Sequence, residues 1–262
     1  MNRSSSTFAI VLSLKPLGEN NTTVTLLTPD RGIVYAVLYG GPKSRLRSLV
    51  AQWNSGKVWL YENPEKNQIK ISDFEVRIFH ESFSKSLYKL YAASLAAELA
   101  IKTRSAGSPE ECFRLISGFL DGMDLCDEEQ SRVGLIRFLW RFLELLGVQP
   151  QSHACCSCGT VFLDTRFAPQ SISYYNSIEN SFICPSCADA NAGSGGETEN
   201  AIPVNNTAVQ YLSALTVLSP QEARKLSIDE ETYGQIRQLV FFLIEKNIDQ
   251  KLNSIETGMG IL

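Results

Sequence analysis

Two CxxC pairs restrict the fold of this chain more than any other feature. Cys155 and Cys158 form the first pair, Cys184 and Cys187 form the second, and 25 residues separate the two pairs. Each CxxC turns tightly and aims both sulfurs at one point, so two pairs can surround one tetrahedral Zn²⁺. Two disulfides, or cysteines that only pack in a core, are the other interpretations of this spacing.

The chain between and around the pairs refines this prediction. Residues 160–167 and 171–175 are strand-like and predict a small hairpin that closes onto the metal. Cys156 and His153 are the substitute ligands, but only one residue separates Cys156 from Cys158, which would strain the turn. A four-cysteine site leaves no open position for substrate or water, so we expect one structural zinc ion.

Length and composition set the outer limits of the fold. A chain of 262 residues is long for one core and usual for two or three compact units. No stretch reaches the roughly 18–20 apolar residues that cross a bilayer, and the short apolar run at residues 8–14 predicts a first β-strand better than a secretion signal. Seven cysteines, four of them in metal spacing, favour a reducing cytoplasm.

The first eighty residues are patterned as short strands separated by Pro and Gly turns. Pro29–Gly32 predicts a tight turn between two of them. Five antiparallel strands in so short a chain fit a small closed barrel of the OB-fold type, and an SH3-like barrel would give a similar pattern. The predicted strands are 7–14, 22–28, 33–39, 57–62 and 69–79.

From residue 84 onward the apolar residues recur at helical spacing. Helix starts are predicted at Ser108–Glu111 and Ser219–Glu222, and Ser227 with Glu230 offers a third capping box. Two further helices are predicted over 128–147 and 229–253, and residues 188–206 have the composition of a flexible surface connection.

Charge is unevenly distributed along the chain. The net charge is −4, but residues 1–79 carry 10 Lys and Arg against 6 Asp and Glu, whereas the remainder carries 14 against 22. Within the first part, the glycine-rich loop 40–47 holds Lys43, Arg45 and Arg47, which can follow a sugar-phosphate chain. An ordinary solvated loop is the alternative. Aromatic residues that could stack on bases are Trp53, Trp59 and Tyr61, with one of the last two expected in the core.

The sequence does not predict an enzyme. The two histidines, His80 and His153, are far apart in sequence, and G-x-S-x-G, P-loop, GxGxxG and HExxH motifs are missing. A zinc-dependent nucleobase deaminase would need an HxE or CxE before PCxxC, whereas Pro185 falls inside the second pair.

Taken in order, several blocks resemble the bacterial RecO family of recombination and DNA-repair proteins. The most specific block runs from Phe142 to Pro150 and leads into Cys155-x-x-Cys158-Gly159. The other blocks are 7–12, Gly18-Glu19, 26–29 followed by Gly32, 43–46, the second cysteine pair and 251–254. The resemblance implies an α+β multidomain fold: an OB-fold barrel over 1–80, then an α-helical domain over 81–262, interrupted by a zinc module at about 151–190.

The same resemblance implies a function without catalytic turnover or a small-molecule substrate. RecO-like proteins bind and anneal single- and double-stranded DNA in the bacterial cytoplasm, at the nucleoid. With RecR they help RecA replace single-strand-binding protein. We therefore expect DNA contacts from Lys43, Arg45 and Arg47, supported by Arg31 and Arg77, and contacts to the C-terminal tail of single-strand-binding protein from Arg137 and Arg141. The net charge of −4 is low for a DNA-binding family. A zinc-stabilised protein-interaction scaffold that does not bind DNA is therefore the alternative.

Overall fold

The N-terminal part of the computed structural model is a closed barrel; the structure describes residues 3–41, 44–163, 168–192 and 201–262. Its strands are β1 (Ser4–Leu17), β2 (Asn21–Thr28), β3 (Gly32–Leu38), β4 (Ser55–Asn63) and β5 (Gln68–Ile78). They follow the order β1-β2-β3-β5-β4, antiparallel except where β3 and β5 meet. The prediction of a five-stranded barrel is confirmed.

Alternating apolar residues of the five strands fill the barrel interior, as the period of a strand requires. Among the largest are Leu26, Leu60 and Phe74, each about 1% exposed or less. The predicted turn between β2 and β3 ends at Gly32, whose φ is +66°. A Cβ atom on Gly32 would also lie 2.7 Å from the Ser105 hydroxyl, so both backbone conformation and packing require glycine there.

A short helix that the sequence did not predict, α1 (Arg45–Leu49), joins β3 to β4. Leu46 and Leu49 pack against the barrel core, and Val50 after the helix is buried within it. This segment therefore covers one end of the barrel.

Three helices follow the barrel: α2 (Leu87–Lys102), α3 (Pro109–Leu125) and α4 (Glu128–Leu145). The Ser86 hydroxyl accepts a hydrogen bond from the Lys89 amide and caps α2. Ser108 is the N-cap residue of α3 and Pro109 its first residue, as predicted. The capping box predicted there is not formed, because the Ser108 side chain makes no capping hydrogen bond.

His80, just after β5, connects the barrel to α3. Its Nδ1 lies 2.7 Å from the Trp53 carbonyl, its Nε2 lies 2.8 Å from Asp121, and its ring stacks on Phe83. Burial opposes protonation, but the hydrogen bonds to Asp121 and Trp53, with the charges of Asp121 and Asp124, raise the pKa of His80 above its usual 6.5. Both ring nitrogens face acceptors, an arrangement that suits the imidazolium form.

The C-terminal residues are fixed to α2. The Glu98 carboxylate accepts hydrogen bonds from the Asn253 and Ser254 amides and the Ser254 hydroxyl, at 2.5–2.9 Å. The predicted helix over 229–253 is in fact two helices, α8 (Glu230–Asn247) and α9 (Asn253–Thr257), with a break between them.

The remaining elements are β6 (Ile172–Asn176), β7 (Ser181–Ile183), α5 (Pro185–Ala192), β8 (Ile202–Asn205), α6 (Asn206–Val217) and α7 (Pro220–Ala223). The three strands form one sheet in the order β7-β6-β8. The predicted capping box at Ser219 and Glu222 is confirmed. The one predicted at Ser227 is wrong, since Asp229 is the N-cap and accepts from the Thr232 amide at 2.7 Å.

Two predictions about the cysteine region are corrected. The hairpin near the cysteines pairs β6 with β7, not 160–167 with 171–175; Val161 makes only an isolated bridge to Ala154, and 164–167 lie outside the described residues. The segment 188–206 includes the end of α5 and all of β8, where Val204 and Asn205 are buried by pairing with β6. Residues 193–200 of that segment lie outside the described residues.

The chain divides into two compact units. The first comprises Met1–Leu135 with Gln250–Leu262, and the second comprises Ile136–Asp249. Residue 80, where the sequence changes from strand to helix pattern, lies inside the first unit. Among the described residues, no helix combines the length and apolarity needed to cross a membrane.

Candidate metal centre and nucleic-acid interface

The four cysteines of the two CxxC pairs come together in the second unit. Their Sγ atoms all lie within 4.8 Å of one another, and those of Cys158 and Cys184 are 3.7 Å apart. Zn–S bonds of about 2.3 Å in a tetrahedron place the sulfurs about 3.8 Å apart. The four thiols can therefore hold one metal ion, and zinc fits both their chemistry and their spacing.

Backbone turns explain why the sulfurs converge. The Gly159 amide donates to the Cys155 carbonyl at 2.9 Å, and the φ of Gly159 is +71°, a conformation that glycine adopts at little cost. At the second pair, the Ala188 amide donates to the Cys184 carbonyl as α5 begins. The Cys184 amide also lies 3.3 Å from the Cys155 sulfur, which ties the two pairs together.

The four thiols differ in their environments. Cys155 and Cys184 are buried, whereas Cys158 is exposed and its sulfur lies 3.3 Å from the Thr160 hydroxyl. Hydrogen bonding with Thr160 lowers the pKa of Cys158 to about 6, which makes it a thiolate at neutral pH. Burial raises the pKa of Cys184 and Cys187. A bound cation would offset the desolvation cost of ionising these two thiols.

The other interpretations of this region do not match the geometry. The sulfur separation of 3.7 Å between Cys158 and Cys184 is well above the roughly 2.05 Å of a disulfide, and all seven cysteines are free thiols. Cys156 and His153 do not belong to the sulfur cluster, and both side chains are exposed. The Cys156 amide instead donates to the Phe182 carbonyl of β7 at 3.0 Å.

On the barrel, α1 carries two of the cations predicted to contact DNA. Arg45 is exposed and Arg47 is half-buried, and neither makes an ion pair with any residue that the structure describes. Their charge is therefore available to a ligand. Lys43, the third predicted cation of this loop, lies outside the described residues.

The two supporting cations are partly neutralised. Arg31 pairs with Glu62 at 2.6 Å, and Arg77 lies 3.5 Å from Glu75. The Arg77 guanidinium also lies 5.7 Å from the ring centroid of Phe8, in a cation–π contact. All these side chains are exposed enough for the ion pairs to contribute little stability.

The aromatic residues named from the sequence are placed differently from expectation. Trp53 is only 6% exposed and cannot stack on a base. The expectation that one of Trp59 and Tyr61 is in the core is wrong: residues two apart in a strand share a face, and both are half-buried. The core is filled instead by Val58, which precedes Trp59, and by Leu60, which lies between the two rings in sequence.

The outer wall of the barrel carries an aromatic and cationic cluster that was not predicted from the sequence. Phe8 on β1 is 48% exposed and stands opposite Lys57 of β4 in the strand ladder. The Lys57 ammonium lies 5.1 Å from the centroid of the Trp59 ring, and Arg77 lies over Phe8. We call Phe8, Lys57, Trp59 and Arg77 the outer-wall cluster. Side chains alternate between the two faces of β1 and β4, so the pairing register of these strands would be enough to predict the cluster.

In the second unit, Arg137 and Arg141 project from the half of α4 that belongs to it. Arg137 donates to the Tyr211 hydroxyl at 2.7 Å and to the Leu226 carbonyl at 2.9 Å. Arg141 donates to the Leu218 carbonyl at 3.2 Å. Burial, and then the nearby charge of Arg137, lowers the pKa of Arg141. The charge of Arg224, a residue not predicted from the sequence, lowers it further. The three guanidiniums form a cationic cluster.

A closed five-stranded barrel, a helical part and four clustered cysteines define the class: an OB-like barrel protein with a four-cysteine cluster that could hold a metal ion. Two family models match this chain. "Recombination protein O N terminal" covers residues 1–78, and "Recombination protein O C terminal" covers residues 84–256. The chain belongs to the RecO family of DNA repair proteins.

Individual relatives agree with this membership. The chain is 30% identical to DNA repair protein RecO of Synechococcus elongatus over 159 residues, which cover 60% of this chain and 59% of that protein. It is 26% identical to DNA repair protein RecO of Myxococcus xanthus over 260 residues, covering 95% and 94%. The chain thus spans about half to three-fifths of the length of the cyanobacterial relatives it matches, and nearly all of the myxobacterial one.

Proposed function

We propose that the protein binds DNA through its barrel and acts as a recombination mediator without catalytic turnover. Membership of a DNA repair family supports DNA as the ligand. The observation that carries the proposal is the pair Arg45 and Arg47, two cations on a helix at the end of an OB-like barrel with no ion pair among the described residues. Such cations neutralise phosphates and provide most of the affinity for nucleic acid.

The outer-wall cluster supports a contribution from stacking. Exposed aromatic rings beside cations are the usual surface for single strands, because every base has a π-face and every linkage a phosphate. Glu75 pairs with Arg77 on this wall and weakens its positive potential. We therefore assign the first contact to α1 and a supporting role to the outer wall.

The remaining steps of the proposal follow from the family resemblance. In the bacterial cytoplasm, the protein anneals complementary strands and, with RecR, helps RecA replace single-strand-binding protein. Such an exchange needs overlapping binding sites and no catalytic centre. One zinc ion in the four-cysteine site stabilises the second unit and takes no part in the exchange.

The cationic cluster of Arg137, Arg141 and Arg224 is our candidate contact for the acidic tail of single-strand-binding protein. Cations beside apolar surface suit an acidic peptide with a hydrophobic end. Isothermal titration of the tail peptide tests this, with Arg141→Gln expected to weaken binding. An unchanged affinity in Arg141→Gln and in Arg224→Gln would move the contact elsewhere.

The DNA proposal is tested by fluorescence anisotropy of a labelled single-stranded oligonucleotide across a salt series. The variant is Arg45→Ala/Arg47→Ala, and the matched control is Arg114→Ala/Lys225→Ala, which removes two exposed cations outside the candidate surface. Each lost phosphate contact lowers the log–log salt slope by about 0.7, so we expect the slope to fall by about 1.4 in the variant and to stay unchanged in the control.

Each alternative outcome has a distinct meaning. Equal slopes for the wild type and the variant would place the DNA contacts away from α1. No binding by the wild type at low salt would overturn direct DNA binding and favour a zinc-stabilised scaffold that acts only through protein partners, in line with the acidic balance of residues 80–262.

A further inference from the structure

A small cleft opens at the end of the barrel that α1 covers, and the function proposed above assigns no ligand to it. Its volume is about 250 Å³, and its lining is mostly apolar, including Leu14, Leu38 and Ala51. This volume is below the roughly 300–1,000 Å³ of pockets that hold drug-sized ligands, so the cleft suits one small flat group.

The strand register explains how the cleft is built. Pro16 of β1 pairs with Thr22 of β2, and Thr22 pairs with Leu38 of β3, so three neighbouring strands form one wall. Arg47 and Ala51, from α1 and the turn after it, form the other wall. An apolar slot thus opens beside a cation.

We propose that this cleft receives one unstacked base of a single-stranded nucleic acid, while Arg47 contacts a phosphate next to that base. The inference deepens the proposed function and rests on it. The accessible apolar residues of the lining, Leu14, Pro16 and Ala51, offer a surface for the face of a base. Arg47 stands at the cleft with no ion pair among the described residues. Base insertion therefore combines stacking with phosphate contact in one place.

The composition of the cleft also predicts what it selects. Apart from Arg47, the only polar side chain in the lining is Thr22, so the cleft has few groups that could read the edge of a base. We expect little sequence preference. We expect a clear preference for single strands, because a paired base must first be unstacked and unpaired at a cost of a few kcal/mol.

A nucleic acid explains the cation at the cleft better than a peptide does. Residues two apart in an α-helix point to nearly opposite sides, so Arg47 lines the cleft whereas Arg45 lies outside its lining. A nucleic acid carries a phosphate beside every base, so an inserted base brings one close to Arg47. An acidic peptide that inserted one apolar side chain would hold its charges at no such fixed distance. Peptide binding is nevertheless a distinguishable outcome of the test.

The experiment uses a single-stranded oligonucleotide that contains one 2-aminopurine, whose fluorescence rises when the base leaves the stack. We expect the full-length protein to raise this fluorescence. Ala51→Phe fills the cleft and keeps both arginines, so we expect the fluorescence rise to be lost and affinity to fall about five- to tenfold, as for the loss of one base contact. Ser48→Phe adds the same ring on an exposed position of α1 and should keep the signal.

A second measurement leaves the protein unchanged and so does not depend on whether the variant folds. Oligonucleotides in which every base is removed should bind the wild type at least five- to tenfold more weakly, because stacking on the outer wall is lost as well. They should bind Ala51→Phe as weakly as they bind the wild type. If Ala51→Phe retains the fluorescence rise while the wild type binds DNA with the expected salt slope, the cleft inference is wrong and the proposed function stands. Competition by an acidic, hydrophobic-ended peptide, with no fluorescence rise from DNA, would overturn the inference in favour of a peptide site. No DNA binding at all would instead overturn the proposed function.

Discussion

The barrel and the four-cysteine module, which consists of the two cysteine pairs with β6, β7, β8 and α5, differ in how much regular structure supports them. The barrel closes around twelve buried apolar residues from its strands and the segment after α1, so every strand has two neighbours and a shared core. The module has strands of five, three and four residues, and its two cysteine pairs converge on one point. The module also buries Tyr175 and Phe182 against each other. Strands this short are marginal on their own, so we expect a metal ion at the four cysteines to order the loops around them.

Removal of a predicted metal ligand should therefore give the largest difference between the two regions, because it should destabilise the module and leave the barrel folded. We expect Cys184→Ser to abolish stoichiometric zinc and to expose 150–190 to proteolysis, because apparent zinc binding is worth about 10 kcal/mol in small structural sites. Elemental analysis and limited proteolysis measure this. Cys156→Ser, outside the sulfur cluster, should keep the metal and the resistance. A zinc content equal in Cys184→Ser and wild type would show that this cysteine is not a ligand.

A substitution in the barrel core should destabilise the barrel and leave the four-cysteine module intact. Phe74 is 1% exposed, and Phe74→Ala should lower the free energy of unfolding of the barrel by about 3–5 kcal/mol while the zinc content stays stoichiometric. Denaturant unfolding followed by tryptophan fluorescence, with zinc release measured in parallel, tests this. Phe8→Ala removes an exposed ring of the same kind and should cost much less. Joint loss of zinc and barrel in Phe74→Ala would contradict the comparison.

A smaller effect that depends on pH concerns the connection of the barrel to α3. Because folding raises the pKa of His80, its stabilisation is complete below the unfolded pKa of about 6.5 and is lost as pH rises through the folded pKa. We expect His80→Gln to cost about 1–3 kcal/mol at pH 6 and distinctly less at pH 9. Denaturation at both pH values measures this. Asp121→Asn should flatten the pH dependence in the same way, and a cost independent of pH would show that His80 is neutral in the fold.

Local patterns explain which features the sequence predicted. The clustering of the four cysteine sulfurs was predictable because the conformation of a CxxC turn depends on its own few residues. The five barrel strands were predictable because Pro and Gly separate them sharply. The capping box at Ser219 likewise depends only on residues within four positions.

Other features depend on partners that are distant in sequence. Residues 160–167 have strand propensity, but propensity cannot say that β6 pairs with β7 and β8 instead. Arg137 donates hydrogen bonds to Tyr211 and Leu226, which lie 74 and 89 positions further along the chain. The apolar periodicity of α4 could not predict these partners. The burial of Trp59 and Tyr61 was predicted wrongly, although the sequence was enough to predict it. Residues two apart in a strand lie on the same face, so both rings had to lie on one side of β4.

The hydrogen bond from the Cys156 amide to the Phe182 carbonyl has a practical consequence for handling the protein. β7 is one of the two outer strands of its sheet, and residues 151–156 cover its open side through this bond and the bridge from Gln151 to Ser181. Chelation would loosen that cover and uncover a strand whose three residues are all buried. Exposed strand edges seed aggregation, so chelators and strong thiol oxidants are expected to turn clear solutions turbid well before the barrel unfolds.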